Sequence, residues 1–251
     1  LHQFAINNGD GANPQAGLVN VNGTLYGTTR FGGAGSVGTV FSITPQGVYK
    51  VLYSFQGPGL TDAAQPAGTL LYANGMLFGT STLGGSGGFG TIYSLTLSGS
   101  ESVIYSFQGN SYGSYPQGGL INVGGTFFGV TQTAGPIGGT VFSVTPAGAH
   151  KVLHTFNSIS GGQFPLAGLV YVGNKLYGTT SSGGSCLDDD DCGTLFSITT
   201  AGKFVSLYSF QGYPVDGAGP SAPLINVGRT FYGTTYTGGN VNEGTLFSFV
   251  R

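Results

Sequence analysis

Apolar and polar positions alternate with a two-residue period in short runs along the whole chain, the pattern of strands whose side chains point to opposite faces in turn. In the first repeat the runs predict strand A at Gly17-Leu18-Val19-Asn20-Val21 and strand B at Thr24-Leu25-Tyr26-Gly27-Thr28. Strand C falls at Thr39-Val40-Phe41-Ser42-Ile43 and strand D at Val51-Leu52-Tyr53-Ser54-Phe55. All four are rich in β-branched and aromatic residues and are bounded by Gly, Asn and Pro. Asn22-Gly23 marks a tight A–B hairpin, and Thr44-Pro45-Gln46-Gly47 a C–D turn. No segment sustains a 3.6-residue apolar period, so essentially no helix is expected.

The four-strand pattern recurs. Tyr26-Gly27-Thr28-Thr29 returns as Phe78-Gly79-Thr80-Ser81, Phe128-Gly129-Val130-Thr131, Tyr177-Gly178-Thr179-Thr180 and Tyr232-Gly233-Thr234-Thr235, with steps of 52, 50, 49 and 55 residues between the glycines. Four strands every ~50 residues fit a propeller blade. The expected fold is therefore an all-β, five-bladed β-propeller of four-stranded antiparallel blades, a single domain over 1–251. The blades are 14–55, 66–107, 116–156, 165–210, and 220–249 plus 1–4. The last grouping arises because Leu1-His2-Gln3-Phe4 aligns with the D strand Leu153-His154-Thr155-Phe156, while the fifth repeat reads only through strand C. The N-terminal strand is expected to pair into the last blade and close a ring without free edges. Bulky residues on one blade face would need small ones on the facing blade, which the Gly and Ser positions supply.

Composition narrows the function. Seven basic and nine acidic residues, with a net charge of −2, leave no basic patch for a nucleic-acid backbone. No apolar run approaches the ~18 residues of a membrane span. Beginning at Leu1 rather than Met, the sequence is expected to be a mature or trimmed form; whether a precursor carried a signal peptide or anchor is not in the sequence.

The blocks Pro-x-Ala-Gly-Leu, Tyr-Gly-Thr-Thr-x-x-Gly-Gly, Gly-Thr-Val-Phe-Ser-Ile-Thr-Pro-x-Gly and Leu-Tyr-Ser-Phe resemble the bacterial GloVer-type tandem-repeat family over nearly the whole chain. The resemblance implies a secreted or surface-anchored propeller and brings no established activity or catalytic residues. The family's Asp-Gly pair survives at Asp10-Gly11 and Asp216-Gly217, only its acid at Asp62, and it is absent at Tyr112-Gly113 and Gly161-Gly162.

In an A-B-C-D blade the minimal A–B and C–D turns share one face, and the long, variable B–C and D–A loops share the other. Such loops on a rigid scaffold are where binding usually resides. They carry Asp10, Asp62, Asp216, Arg30, Phe31, Phe89, Tyr112, Tyr115, Tyr213 and Tyr236, an inventory suited to stacking on and orienting a neutral glycan. The bland alternative is that the rings shield blade junctions and the acids cap turns. Cys186 and Cys192, six apart in one loop, are expected to form a disulfide in an oxidising compartment. Between them Asp188 and Asp190, in a run of four aspartates, are weak calcium candidates that lack the spacing of a dedicated loop. No other cofactor is expected.

Catalysis has little support. His2 and His154 occupy the D-strand place of Tyr53, Tyr105 and Tyr208 and read as packing variants, and no spaced Ser, His and Asp set exists. The A strands carry no acid for a glycosidase pair. The leading expectation is a secreted, non-enzymatic, lectin-like carbohydrate-binding module, its partner a glycan or a cell-surface or matrix component. The alternatives are a structural or adhesive protein that self-associates, and a glycan-active enzyme using Asp10, Asp62 or Asp216.

Overall fold

A computed structural model of the protein describes residues 2–6, 9–57, 61–134, 138–157, 161–186 and 192–251. Among them the chain is β-sheet and turn, with no α-helix.

Each repeat builds one antiparallel sheet in the order A-B-C-D. In the first, A is Val19–Val21, B Thr24–Thr29, C Thr39–Ile43 and D Tyr49–Ser54. The second comprises Leu71–Ala73, Met76–Gly84, Thr91–Thr96 and Glu101–Ser106, with a fifth strand, Ala63–Pro66, paired to the end of Met76–Gly84. The third comprises Ile121–Val123, Thr126–Thr131, Thr140–Val144 and His150–Thr155. The fourth comprises Val170–Val172, Lys175–Thr180, Thr194–Ile198 and Phe204–Ser209. The last has three strands, Ile225–Val227, Thr230–Thr235 and Thr245–Val250.

The turn chemistry explains these sheets. Asn22 and Gly23 both take positive φ, 51° and 85°, the conformation of a two-residue hairpin whose twist matches its strands. In the C–D ladders the register shifts once, between Val40 and Phe41, Ile92 and Tyr93, and Leu195 and Phe196. Each shift is a bulge that bends the outer strand. The sequence places D at 51–55, whereas the strand begins at Tyr49 and stops at Ser54.

Two features differ from the sequence expectation. His2, Gln3 and Phe4 form no strand, and the last sheet has no fourth strand among the described residues, which do not include Leu1. Aromatic contacts hold the segment instead: Phe4 lies 5.3 Å from Phe41, and His2 stacks on Tyr49 at 3.6 Å. The small residues divide between two purposes: Gly99, Gly148 and Gly202 abut the preceding repeat at Leu52, Ile104 and Leu153, as expected, but the glycine of the Tyr-Gly-Thr-Thr motif does not. Gly178 pairs across its own sheet with Phe196, and a Cβ there would meet that ring at 2.7 Å and Leu169 at 2.8 Å. The glycine therefore makes room for a ring of its own blade rather than one of the facing blade.

Contacts divide the chain into two lobes, one of Leu1–Gly109, Ser114–Phe127 and Val144–His150, the other of Asn110–Gly113, Phe128–Ser143 and Lys151–Arg251. Within the first, Val21, Tyr26, Val40, Phe55, Leu70, Leu77, Tyr93 and Leu95 form a buried core. In the second, Tyr177, Leu195, Leu224 and Phe231 form one core cluster, and Cys192, Phe210 and Ala218 another.

Candidate functional site

The long loops are tied down by a recurring clasp. Asp62 accepts hydrogen bonds from Tyr53 Oη at 3.1 Å, and from the backbone N–H groups of Gln56 and Ala63 at 2.7 Å each. Asp216 accepts from Tyr208 Oη at 2.6 Å and from Gly217 N at 2.7 Å. Asp10 accepts from Tyr49 Oη and Gly11 N at 2.7 Å and from Ala5 N at 3.0 Å, and His2 Nε2 lies 3.0 Å away. Partial burial would raise the Asp10 pKa, but these bonds hold it below the usual carboxylate value. The backbone carbonyls of the three acids each accept from a B–C loop glycine, Gly33, Gly85 or Gly239, at 2.7 Å. The capping reading thus accounts for all three acids.

A second recurring device is invisible to motif reasoning until the sheets are paired. The residue that ends the Tyr-Gly-Thr-Thr motif in each B strand and the first of each C strand share a short hydroxyl pair: Thr29–Thr39, Ser81–Thr91, Thr131–Thr140, Thr180–Thr194 and Thr235–Thr245, at 2.8–2.9 Å. The first member also donates to a B–C loop carbonyl. The Thr that ends the Tyr-Gly-Thr-Thr motif, met again at the start of strand C, was the available signal.

The ring that opens the D strand of the first, third and fourth repeats stacks on a second ring. His2 stacks on Tyr49, Tyr105 on His150 at 4.1 Å, and His154 on Phe204 at 3.8 Å. Burial lowers the His154 pKa and lowers that of His150 to about 4, so both rings are neutral packing elements, the role that the sequence suggests for His154. In the second repeat the ring is replaced by Glu101. Burial, and then the Asp62 charge, raise its pKa to about 7. Neither Glu101 Oε1 nor the wholly buried Tyr93 Oη has a hydrogen-bond partner. Sequence reasoning passed over Glu101; an acid at a position held by Tyr49, His150 and Phe204 in other repeats was the clue.

The remaining candidates divide between the lobes. In the first, Arg30 reaches Gln65 and Gln15 at 3.3–3.4 Å and lies over the Phe31 ring at 5.6 Å. Tyr115 is half-buried, its ring 5.9 Å from Phe89. In the second, Tyr112, Tyr213 and Tyr236 are 55%, 50% and 81% exposed. Tyr236 N–H donates to Gly219 O, joining a B–C loop to the preceding D–A loop. The second lobe also has a cleft of about 190 Å³ lined by Leu195, Tyr208, Phe210, Asp216, Phe247, Ser248 and Phe249.

Cys186 is half-buried and Cys192 buried, both packed with Phe210 and Ala218. Asp188 and Asp190 lie outside the described residues, among which no group of three metal-ligating side chains occurs.

With this geometry in place, comparison with known proteins is informative. The model of the Gloeobacter/Verrucomicrobia repeat matches residues 1–189. The chain belongs to that family. Its fifth repeat lies beyond the matched span yet carries the same Tyr-Gly-Thr-Thr motif and the same sheet. Among solved structures, this Gloeobacter/Verrucomicrobia repeat chain is similar to a gluconolactonase of Xanthomonas campestris (12% identity, TM-score 0.57, covering 94% of this chain and 71% of that one). It is also similar to a putative 6-phosphogluconolactonase of Bacteroides fragilis (15%, 0.54, 90% and 65%). A third similarity is to a GH43 β-1,3-galactosidase, of which the chain spans only about half (11%, 0.53, 92% and 54%). These likenesses establish an all-β, propeller-like fold. No curated protein matches.

Proposed function

We propose that the chain is a non-enzymatic, lectin-like module that binds neutral glycan chains outside the cytoplasm, its five repeats forming the blades of one five-bladed propeller domain. The observation that carries this reading is the pair of exposed rings, Tyr213 and Tyr236, on two loops held together through Gly219. Flat aromatic surfaces on a braced scaffold suit the apolar faces of sugar rings, with nearby hydroxyls and backbone groups fixing orientation. Asp10, Asp62 and Asp216 serve the loops in this scheme, which leaves them poorly placed as catalytic acids. An oxidised Cys186–Cys192 pair belongs to the same extracellular reading and is checked by mass spectrometry without reductant.

Calorimetric titration with neutral and acidic oligosaccharides tests the proposal. Saturable binding that weakens tenfold or more in Tyr236→Ala or Tyr213→Ala supports it; no binding across the set ends it. A second reading, a self-associating surface protein, is favoured by the exposed Ile225, Val227, Leu246 and Val250 of the last sheet. Sizing chromatography separates the two, since a strict monomer at high concentration removes the second.

A further inference from the structure

We propose that the Arg30 guanidinium, held by Gln65 and Gln15 on the long loops of the first lobe, is a subsite for the carboxylate of an acidic sugar. Arg30 donates through Nε and Nη2 to Gln65 Oε1 at 3.4 and 3.3 Å, and through Nη1 to Gln15 Oε1 at 3.4 Å. These bonds orient the fork and leave one N–H on each terminal nitrogen unused. No carboxylate lies within ion-pair distance of Arg30; the ion pair among the described residues joins His2 to Asp10. The positive charge is therefore held in place by neutral amides and left uncompensated. Two parallel donors match the two oxygens of a carboxylate. The Phe31 ring lies under the guanidinium at 5.6 Å, and the exposed Gln15 and Asn13 offer amides for the hydroxyls of the same sugar.

The fold does not call for an arginine here. At the equivalent place after the Tyr-Gly-Thr-Thr motif, Thr82 and Ser181 donate their hydroxyls to the backbone carbonyls of Gln65 and Phe164, at 3.1 and 2.9 Å. Arg30 instead reaches the side chain of Gln65, the residue before the proline that opens the second repeat. Gln65 supplies an independent observation. Its φ is 53°, a left-handed conformation that residues other than glycine rarely adopt, and its N–H donates to Val37 O at 2.7 Å. In the last repeat Gly219 holds the same position with φ 67°, and its N–H makes the same kind of bond, to Cys192 O at 3.1 Å. Glycine meets the needs of this backbone without strain. A glutamine retained against that strain marks a side chain with a use, and the use the geometry shows is to orient Arg30. Every residue of the subsite belongs to the first lobe, so it does not rest on Tyr213 or Tyr236 or on the neutral-glycan reading.

The probe is oligogalacturonate, titrated calorimetrically into the full chain, with its methyl ester, which keeps the sugars and removes the charge, as the comparison. The acid should bind saturably and about tenfold more tightly than the ester. Arg30→Gln should erase that preference. Arg30→Lys should keep only part of it, because an ammonium retains the charge and loses the fork. Gln65→Gly should weaken binding of the acid with no fall in melting temperature. Acid binding should survive Tyr236→Ala, the variant that tests the neutral-glycan reading, so the two readings fail separately. Absence of saturable binding, equal binding of acid and ester, or a preference that persists in Arg30→Gln overturns the proposal. A melting temperature that falls in Arg30→Gln in step with the lost binding also overturns it, since Arg30 would then be a staple between loops.

Discussion

The fourth and last sheets are nearly the same in sequence and opposite in burial. Tyr177-Gly178-Thr179-Thr180 and Thr194-Leu195-Phe196-Ser197 reappear as Tyr232-Gly233-Thr234-Thr235 and Thr245-Leu246-Phe247-Ser248, with the same strand pairing. Yet Tyr177 is 7% exposed and Tyr232 40%, and Leu195 is 1% exposed and Leu246 76%. The fourth sheet's face is covered by residues of the next repeat: Phe231 lies 4.4 Å from Tyr177, and Leu195 clusters with Leu224 and Phe231. On the last sheet the equivalent side chains, with Val250, are exposed. Local sequence determines strand, turn and cross-strand partner; burial of the outward face is decided by the neighbour.

Truncating the paired leucines should give the largest contrast. Leu195→Ala removes a fully buried side chain and should cost about 2–5 kcal/mol, whereas Leu246→Ala should stay within about 0.5 kcal/mol. Urea unfolding measures both, and equal losses would break the comparison. Glycine substitution should instead make the sheets behave alike. A Cβ on Gly178 would meet Phe196 at 2.7 Å, and one on Gly233 would meet Phe247 at 2.5 Å. Each is a clash inside its own sheet. Gly178→Leu and Gly233→Leu should each cost about 1–3 kcal/mol, since overpacking depends on that ring and not on the covering face. An unaffected melting temperature in either variant would refute the within-sheet reading.

The same division explains what could be read from the sequence. Alternation and Gly punctuation placed the strands, and Asn22-Gly23 specified its turn outright, because these depend on residues close in the chain. The capping reading of Asp10, Asp62 and Asp216 was available from the Tyr or His eight or nine residues upstream, but a spacing alone could not say whether the hydroxyl reaches the acid. The Thr29–Thr39 pair, the Glu101 environment and the cleft beside Phe247 depend on strand register and bulges. The match of His2 and Phe4 to a D strand was taken to imply ladder pairing, which does not occur among the described residues. Ring packing on Tyr49 and Phe41 is what the match reflects.

A smaller effect separates the two sheets by pH. His154, stacked on Phe204, has its pKa lowered by burial, so the unfolded chain binds more protons than the folded one as pH drops below the ordinary histidine value. Its stabilising contribution is complete above pH ~6.5 and is lost progressively toward lower pH. Tyr208, at the corresponding place beside the last sheet, has its pKa pushed up to about 12, first by its bond to Asp216 and then by burial, and stays neutral across that range. His154→Tyr should therefore reduce the fall in melting temperature between pH 8 and pH 5 without removing it, because His150 titrates in the same direction. An unchanged acid slope would show that His154 is solvated.

The smallest expected effect concerns the clasp beside the last sheet. Tyr208→Phe keeps the ring packed on Phe210 and removes only the hydroxyl that reaches Asp216. That hydroxyl is on a partly exposed side chain, so water replaces most of what is lost, and Asp216 retains the Gly217 N–H. The cost should be about 1 kcal/mol or less. Tyr53→Phe makes the same deletion against Asp62, which is buried and cannot turn to solvent, so its cost should be the larger of the two. Paired denaturation curves decide this. If Tyr208→Phe is the more damaging, Tyr208 is buried in solution and the difference in exposure between the fourth and last sheets is not a property of the working protein.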